Sequence, residues 1–194
     1  LQKGDIIVDG VNSNWNDAVR RAKKAAENGI AFMDAGVSGG IWGLQNGYCI
    51  MTGGEKTTFE KVEPFIKALC QEGGYMHCGA AGAGHFTKMV HNGIEYAMME
   101  AYGEGFELLK ASPFGGMDMA AVAAMWNHGS VVRSWLLELA QNAFDKDPKL
   151  EKLAGVVPDS GEGRWTVEEA VKLGVPLPGI AGALFKRFSS QDKN

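Results

Sequence analysis

Cysteine is scarce in this 194-residue sequence, and its spacing excludes two common roles. Cys49, Cys70 and Cys78 form an odd set of three without a C-x-x-C pair. A disulfide framework and a cysteine-rich zinc site both need paired or closely spaced cysteines. We therefore expect three reduced thiols.

Long apolar runs and runs of basic residues are also absent. No apolar segment reaches the roughly 18 residues of a membrane-spanning helix, and residues 1–5 show no signal-peptide pattern. The formal net charge is -4, and Lys and Arg form no footprint for a phosphate backbone. We therefore expect neither a membrane nor a nucleic acid as partner, and a soluble protein of the cytoplasm.

A third absence concerns metal ligands. His77, Cys78, His85 and His91 are close in sequence, but their spacing matches no common zinc pattern, and no acidic cluster lies nearby. Such histidines are usually core or surface side chains with other partners. The sequence predicts no metal site.

What is present is the alternating pattern of an α/β protein. Apolar runs at residues 5–8, 30–33 and 48–51 indicate strands, and a helix with cap residues at 12–14 separates the first two. A strand-helix-strand succession predicts a sheet with at least one parallel pair. Because three strands make a small sheet, we expect more strands in a preceding segment.

Most of the remaining sequence is predicted to be helical. A helix is expected within residues 57–70 after a Thr57-x-x-Glu60 capping box, although Pro64 moves the expected start toward itself. From Gly84 onward the pattern is almost wholly helical. The further predicted helices cover residues 84–112, 118–126 and 131–144, a segment from a Thr166-x-x-Glu169 capping box to Gly174, and residues 179–188.

Residues 82–96 place chemically active side chains at helical spacing. Lys88, either His91 or Asn92, and Glu95 fall near one helix face, because residues three, four and seven apart are neighbours. A solvated helix edge would have the same polar spacing. The apolar residues that flank this polar stripe favour a functional role for it, because they are expected to bury the opposite helix face. They are Phe86, Met89, Val90, Ile94 and Met98.

Two further segments carry weaker signals. Residues 36–40, Gly-Val-Ser-Gly-Gly, follow a predicted strand, where free backbone N–H groups and the Ser38 hydroxyl can approach a ligand. On this loop alone, a plain glycine turn is the favoured interpretation. Arg164 follows Gly161 and Gly163 in a predicted turn before a helix, a place suited to an anion, and Arg187 lies in the last predicted helix.

Together these segments resemble the 6-phosphogluconate dehydrogenase family. The matching stretches follow one another in the family's order: Asp9-Gly-x-Asn12-Ser13, residues 36–40 and residues 82–96. Related β-hydroxyacid dehydrogenases share the serine-glycine loop and a lysine followed four residues later by asparagine. The run His-Asn-Gly-Ile-Glu-Tyr at residues 91–96 is typical of the phosphogluconate branch.

The resemblance implies an α/β portion followed by an all-α domain. Residues 1–80 would be the C-terminal portion of a Rossmann-like cofactor-binding domain, and residues 81–194 a helical substrate-binding and dimerisation domain. The sequence has neither an initiator Met nor the G-x-G-x-x-G fingerprint of dinucleotide-binding domains. We therefore expect a piece, inactive alone, of a short-chain member of about 300 residues.

The resemblance also implies roles for individual residues. Lys88 would be the general base and Glu95 the acid in the oxidative decarboxylation of 6-phosphogluconate to ribulose 5-phosphate and CO2, with NADP or NAD as cofactor and a homodimer as assembly. Asn12, Ser38, Gly39, Gly40, His91 and Asn92 would position the sugar acid, with Asn12 also at the nicotinamide, and Tyr96, Arg164 and Arg187 would bind the phosphate. Arg164 departs from the family pattern, because long members carry lysine there.

Two other functions are open at this point. One is a related dehydrogenase of the 3-hydroxyisobutyrate type, which acts on an unphosphorylated β-hydroxyacid, and Arg164 and Arg187 argue against it. The other is a non-catalytic helical association domain, since the helical half is rich in Met, Ala and Gly. Loss of Lys88 or Glu95 would leave such a domain's function unchanged.

Overall fold

The computed structural model describes residues 1–191, which divide into two structural units. Unit 1 comprises residues 1–93 and contains a β-sheet, and unit 2 begins at Ile94 and is helical. The predicted fold class, an α/β part followed by an all-helical part, is confirmed. The domain boundary expected between residues 80 and 81 remains a prediction.

Unit 1 is organised around one four-stranded sheet with the order β1-β2-β3-β4. The strands are β1 (Ile6–Asp9), β2 (Ala31–Ser38), β3 (Tyr48–Gly54) and β4 (Cys70–Gly79). β1 and β2 are parallel, β2 and β3 antiparallel, and β3 and β4 parallel. The predicted parallel pair is therefore confirmed.

The fourth strand escaped prediction because its first half has no apolar run. Residues 71–74 read Gln-Glu-Gly-Gly, and the pairing with β3 shifts register between Tyr48 and Ile50. β2 is also longer than expected. Residues 36–38, predicted as part of a loop, continue the strand, so the glycine loop is shortened to Gly39 and Gly40.

Four helices begin in unit 1, and one of them corrects a prediction. They are α1 (Trp15–Ala26), α2 (Gly43–Asn46), α3 (Lys56–Leu69) and α4 (Ala83–Lys110), with a 3₁₀ turn at Gly40–Trp42 before α2. α3 starts at Lys56 with Pro64 inside it, so both the Thr57 capping box and the later start were wrong. Val62 and Ile66 are buried in the core that α3 forms with the sheet, and this packing outweighs the cost of an exposed proline.

Unit 2 contains the remainder of α4 and four further helices. They are α5 (Met119–Asn127), α6 (Trp135–Lys146), α7 (Glu162–Leu173) and α8 (Pro178–Gln191). α6 starts later than predicted, because the Ser134 hydroxyl caps it by accepting the Leu137 N–H. α7 starts earlier, so the Thr166 capping box was wrong: Thr166 is inside the helix and donates to the Glu162 carbonyl at 2.8 Å.

The long helix α4 also departs from expectation on its apolar side. Ile94 is 50% and Met98 36% exposed, so the predicted burial of the flanking apolar residues holds best at Met89, which is 2% exposed. Apart from the adjoining residues and the nearby backbone of α4 itself, no described atom lies within 4 Å of a methyl group placed on Gly103 or Gly105. None of the helices in residues 1–191 has both the length and the apolar composition needed to cross a bilayer.

Candidate functional site

Strand β2 and helix α4 meet along one row of contacts, which we call the β2–α4 seam. It joins Asp34, Gly36 and Ser38 of β2 to residues 82–91 around the start of α4. Side chains two apart on a strand project from the same face of a sheet, so these three positions point the same way. A Cβ built on Gly36 would lie 2.3 Å from the Lys88 Cβ, so only glycine permits this approach.

Lys88 is the centre of a polar cluster in unit 1. Its side chain is buried, with 5% of the residue exposed. Its Nζ lies 2.5 Å from the Asn92 Oδ1 and 3.3 Å from the His91 Nδ1. The His91 Nε2 lies 3.4 Å from the Ser38 hydroxyl. The structure therefore brings together four of the predicted site residues.

The His91 ring contacts three polar groups of the cluster. Its Nδ1 lies 3.3 Å from the Lys88 Nζ and 3.0 Å from the Asn92 Oδ1. Its Nε2 is the atom that faces the Ser38 hydroxyl. The ring thus links the buried amine to the end of β2.

Asn12 fixes the end of the same strand from the opposite direction. Its carboxamide donates to the Val37 carbonyl at 2.9 Å and accepts the Val37 N–H at 2.7 Å. The Asn12 backbone has φ 35°, in the left-handed region, so these bonds hold an unfavourable conformation. Gly39 and Gly40 follow with φ of 133° and 51°, which gives the loop its turn.

Unit 2 has its own polar cluster around Tyr96. The Tyr96 residue is 5% exposed, and its hydroxyl donates to the Asp159 Oδ1 and accepts the Ser160 N–H, each at 3.2 Å. The Arg187 guanidinium stacks 3.4 Å from the Tyr96 ring centre and donates to the Pro158 carbonyl at 2.6 Å. Glu95, the residue before Tyr96, is partly buried on α4.

Arg164 joins this cluster through a carboxylate that the sequence analysis missed. Its Nε and Nη2 donate to the Asp159 Oδ2 at 3.0 and 2.6 Å. Arg164 lies in the first turn of α7 rather than before the helix, which corrects its predicted placement. No sequence signal distinguished Asp159, because it stands in a charged, turn-rich stretch.

The protonation of Asp159 reflects this environment. Burial raises the pKa of its carboxyl, but the Gly161 N–H and the Arg164 guanidinium lower it by more, with a smaller contribution from Tyr96. The net pKa lies below the ordinary value of 3.8. Asp159 is therefore an anion at neutral pH and offsets one of the two guanidinium charges.

Comparison with known proteins identifies the family. Residues 84–194 match the family model described as "6-phosphogluconate dehydrogenase, C-terminal domain", and residues 1–84 match "NAD binding domain of 6-phosphogluconate dehydrogenase". The chain belongs to the 6-phosphogluconate dehydrogenase family. The resemblance inferred from the three sequence stretches is thereby confirmed.

Individual relatives extend along nearly the whole chain. The Bacillus subtilis (strain 168) protein YqeC is 49% identical over 190 residues, which cover 98% of this chain and 64% of YqeC. The NAD(+)-dependent, decarboxylating 6-phosphogluconate dehydrogenase of Haloferax volcanii is 42% identical, with 98% and 63% covered. The chain therefore spans slightly less than two thirds of the length of these relatives.

A solved structure shows the same fold. The 6-phosphogluconate dehydrogenase of Plasmodium falciparum, described with NADP+ and with 6-phosphogluconate, has a TM-score of 0.87 and 32% identity to this chain. The match covers 98% of this chain and 43% of the Plasmodium chain.

The glycine-rich turn before α4 binds a carboxylate of the chain itself. The glycine-rich turn at residues 79–84 leads from β4 into α4, an arrangement that elsewhere binds phosphate. Here Asp34 accepts the N–H groups of Gly82 and His85, so a carboxylate of the chain itself takes the place of a bound anion. These two N–H groups are therefore already used by Asp34.

Asp159 generates a prediction about acid stability. Because its pKa is depressed in the folded state, its contribution to the free energy of unfolding is complete above the unfolded pKa of about 4 and is lost as pH falls through the folded pKa. Asp159→Asn should lower the free energy of unfolding by about 1–2 kcal/mol at pH 7, and this deficit should shrink below about pH 4.

The measurement is urea unfolding between about pH 7 and pH 3. Asp145→Asn, at an exposed aspartate of α6, is the control and should change the free energy of unfolding by less than about 0.5 kcal/mol throughout. A deficit for Asp159→Asn that stays constant down to the lowest pH would contradict the assignment.

Proposed function

We propose that the complete protein converts 6-phosphogluconate to ribulose 5-phosphate and CO2, with NADP or NAD as the hydride acceptor. The observation that supports this best is the Lys88 cluster: a buried amine held by His91 and Asn92 beside Ser38, in a chain of this family. A buried amine held in a fixed direction is suited to proton transfer, because its position relative to a substrate hydroxyl is set before binding.

The proposed steps use Lys88 as a base, then as an acid, then as a base again. Its Nζ accepts the proton of the C3 hydroxyl while hydride leaves C3 for the nicotinamide, which is the chemistry that the cofactor supplies when bound. The product is a β-keto acid, which loses CO2 as the protonated Lys88 returns its proton to the C3 oxygen, and an enediol remains. Glu95, seven residues further along α4, then protonates the carbon that carried the carboxylate while Lys88 removes the proton from the C3 oxygen, which gives the ketone ribulose 5-phosphate.

The remaining residues are proposed to position the substrate. Asn12, Ser38, Gly39, Gly40, His91 and Asn92 would hold the sugar acid, with Asn12 also at the nicotinamide. Tyr96, Arg164 and Arg187 would receive the phosphate, which is supported by two guanidinium groups within one cluster. Asp159 already offsets the charge of Arg164, so a phosphate would mainly neutralise Arg187, and an unphosphorylated β-hydroxyacid would supply no anion at this position. The cluster therefore favours the phosphorylated substrate.

The base assignment predicts the effect of two substitutions in the complete protein. Lys88→Met should reduce NAD(P)H formation from 6-phosphogluconate by about 10²-fold or more, the usual loss when a general base is removed. Glu95→Gln should mainly slow the later protonation, so that release of ribulose 5-phosphate falls more than hydride transfer in a single turnover.

Lys61→Met, at an exposed lysine of α3, is the matched control and should retain wild-type rates. Near wild-type NAD(P)H formation by Lys88→Met would refute the assignment of the base. Unchanged activity in both Lys88→Met and Glu95→Gln would favour the non-catalytic association domain instead.

We further propose that the complete protein is a homodimer of the cytoplasm, where its phosphorylated substrate would be retained. Residues 1–80 would complete the cofactor-binding domain, and residues 81–194 would bind substrate and dimerise. The support is an apolar groove of about 850 Å³ between α4 and α6 in unit 2, lined by residues that include Tyr102, Phe106 and Leu139. A groove of this composition is expected to be covered in solution.

This assembly predicts a difference between two surface substitutions. Leu139→Glu, inside the groove, should convert the complete protein to a monomer, because it would bury a charge against the second copy. Leu173→Glu, at the exposed end of α7 outside the groove, should leave the dimer intact. Light scattering at micromolar concentration measures both, and a monodisperse wild-type monomer would remove the proposal.

A further inference from the structure

Asp34 is a fully buried carboxylate for which the proposed reaction has no use. Its residue exposure is 0%, and it lies in the middle of β2. Its Oδ1 accepts the Gly82 N–H at 2.6 Å and its Oδ2 accepts the His85 N–H at 2.7 Å. The N–H groups at the start of a helix have no partner within the helix, and the helix dipole favours a negative charge there. Asp34 thus supplies both hydrogen-bond acceptors for the N–H groups and a negative charge at the start of α4.

The surroundings of Asp34 leave its carboxylate little freedom. A Cβ on Gly53 would lie 2.6 Å from its Oδ1, and a Cβ on Gly84 would lie 2.8 Å from its Oδ2. Two glycines therefore allow the backbones of β3 and of α4 to close on the two oxygens. A helix whose first turn is held by such a carboxylate has a defined height and rotation on the sheet.

This defined height matters because Lys88 follows on the same seam. His85, whose N–H binds Asp34, precedes Lys88 by three residues, less than one helical turn. Gly36, two residues after Asp34 on β2, is the position against which Lys88 packs. Movement of the start of α4 along the sheet would therefore carry Lys88 away from Gly36 and His91 away from Ser38.

We propose that Asp34 is a positioning residue: it fixes the start of α4 on β2 so that Lys88 stands over Gly36 and His91 reaches Ser38. The proposal rests on the proposed function of Lys88 and extends it to a residue that touches no reacting atom. Asp34 sets where the base is held, and a displacement of about 1 Å at such a group is enough to reduce turnover about 10²-fold.

The test compares Asp34→Asn with a matched control in the complete protein. The amide of Asn has one oxygen where the carboxylate has two, so one of the two N–H groups loses its acceptor and the start of α4 shifts. Thr52→Val is the control: Thr52 is equally buried at 0% exposure, and its hydroxyl donates to the Met76 carbonyl at 3.0 Å, away from the seam. Both variants should lower the melting temperature.

Only the Asp34 variant should change catalysis at temperatures where both variants are fully folded. We expect kcat for NAD(P)H formation to fall about 10-fold or more in Asp34→Asn, with KM for 6-phosphogluconate changed less than about threefold. Thr52→Val should keep kcat within about twofold of wild type. If Asp34→Asn does not fold, Asp34→Ser, whose hydroxyl can accept one of the two N–H groups, takes its place.

Two kinetic outcomes would overturn the proposal. One is a wild-type kcat in a destabilised Asp34→Asn, which would make Asp34 only a helix cap. The other is an equal loss of kcat in Thr52→Val, which would show that activity follows stability alone.

A crystal structure of Asp34→Asn separates this proposal from the proposed function. If the wild-type protein does not act on 6-phosphogluconate, the proposed function has failed, and the positioning claim is judged on this structure. A shift of α4 that separates Lys88 from Gly36 supports the claim. An unchanged seam overturns it.

Discussion

The close approach of Lys88 to Gly36 is the constraint on which the site in unit 1 depends. A lysine amine could be placed near a substrate by a flexible surface side chain, but it would then sample many rotamers in water. Here the side chain leaves α4 directly against the backbone of β2, and a side chain on residue 36 would prevent this. The two residues that hold the amine, His91 and Asn92, stand on the next turn of the same helix.

Charge is handled differently in the two polar clusters. At the start of α4, the described hydrogen bonds to the Asp34 carboxylate all come from backbone N–H groups, and none comes from a lysine or arginine side chain. Around Tyr96, the Asp159 carboxylate binds Arg164, whose side chain is 52% exposed, so water screens the pair and reduces its contribution to stability. The arrangement leaves Arg187, stacked on Tyr96, as the less neutralised of the two guanidinium groups.

The fold class and the polar stripe of α4 could be predicted from the sequence, because both depend on periodicity. It could not place helix starts that depend on tertiary packing, as at Pro64, which remains inside α3, or on local caps such as Ser134. The residues that contact α4 from elsewhere in the chain could not be predicted either. Nothing in the spacing of β2 and α4 shows that Asp34 caps α4 across 48 residues, or that Asp159 lies beside Tyr96.

A glycine substitution tests the central claim, that β2 holds Lys88 in its working position, most directly. In the complete protein, Gly36→Ala places a methyl group where the Lys88 Cβ now lies 2.3 Å away, so α4 must move. We expect kcat for NAD(P)H formation to fall about 10²-fold, whereas Gly105→Ala, where a methyl group meets no described atom within 4 Å beyond the adjoining residues and backbone of α4, should retain it. A wild-type kcat in Gly36→Ala would mean that the working enzyme does not hold Lys88 against β2.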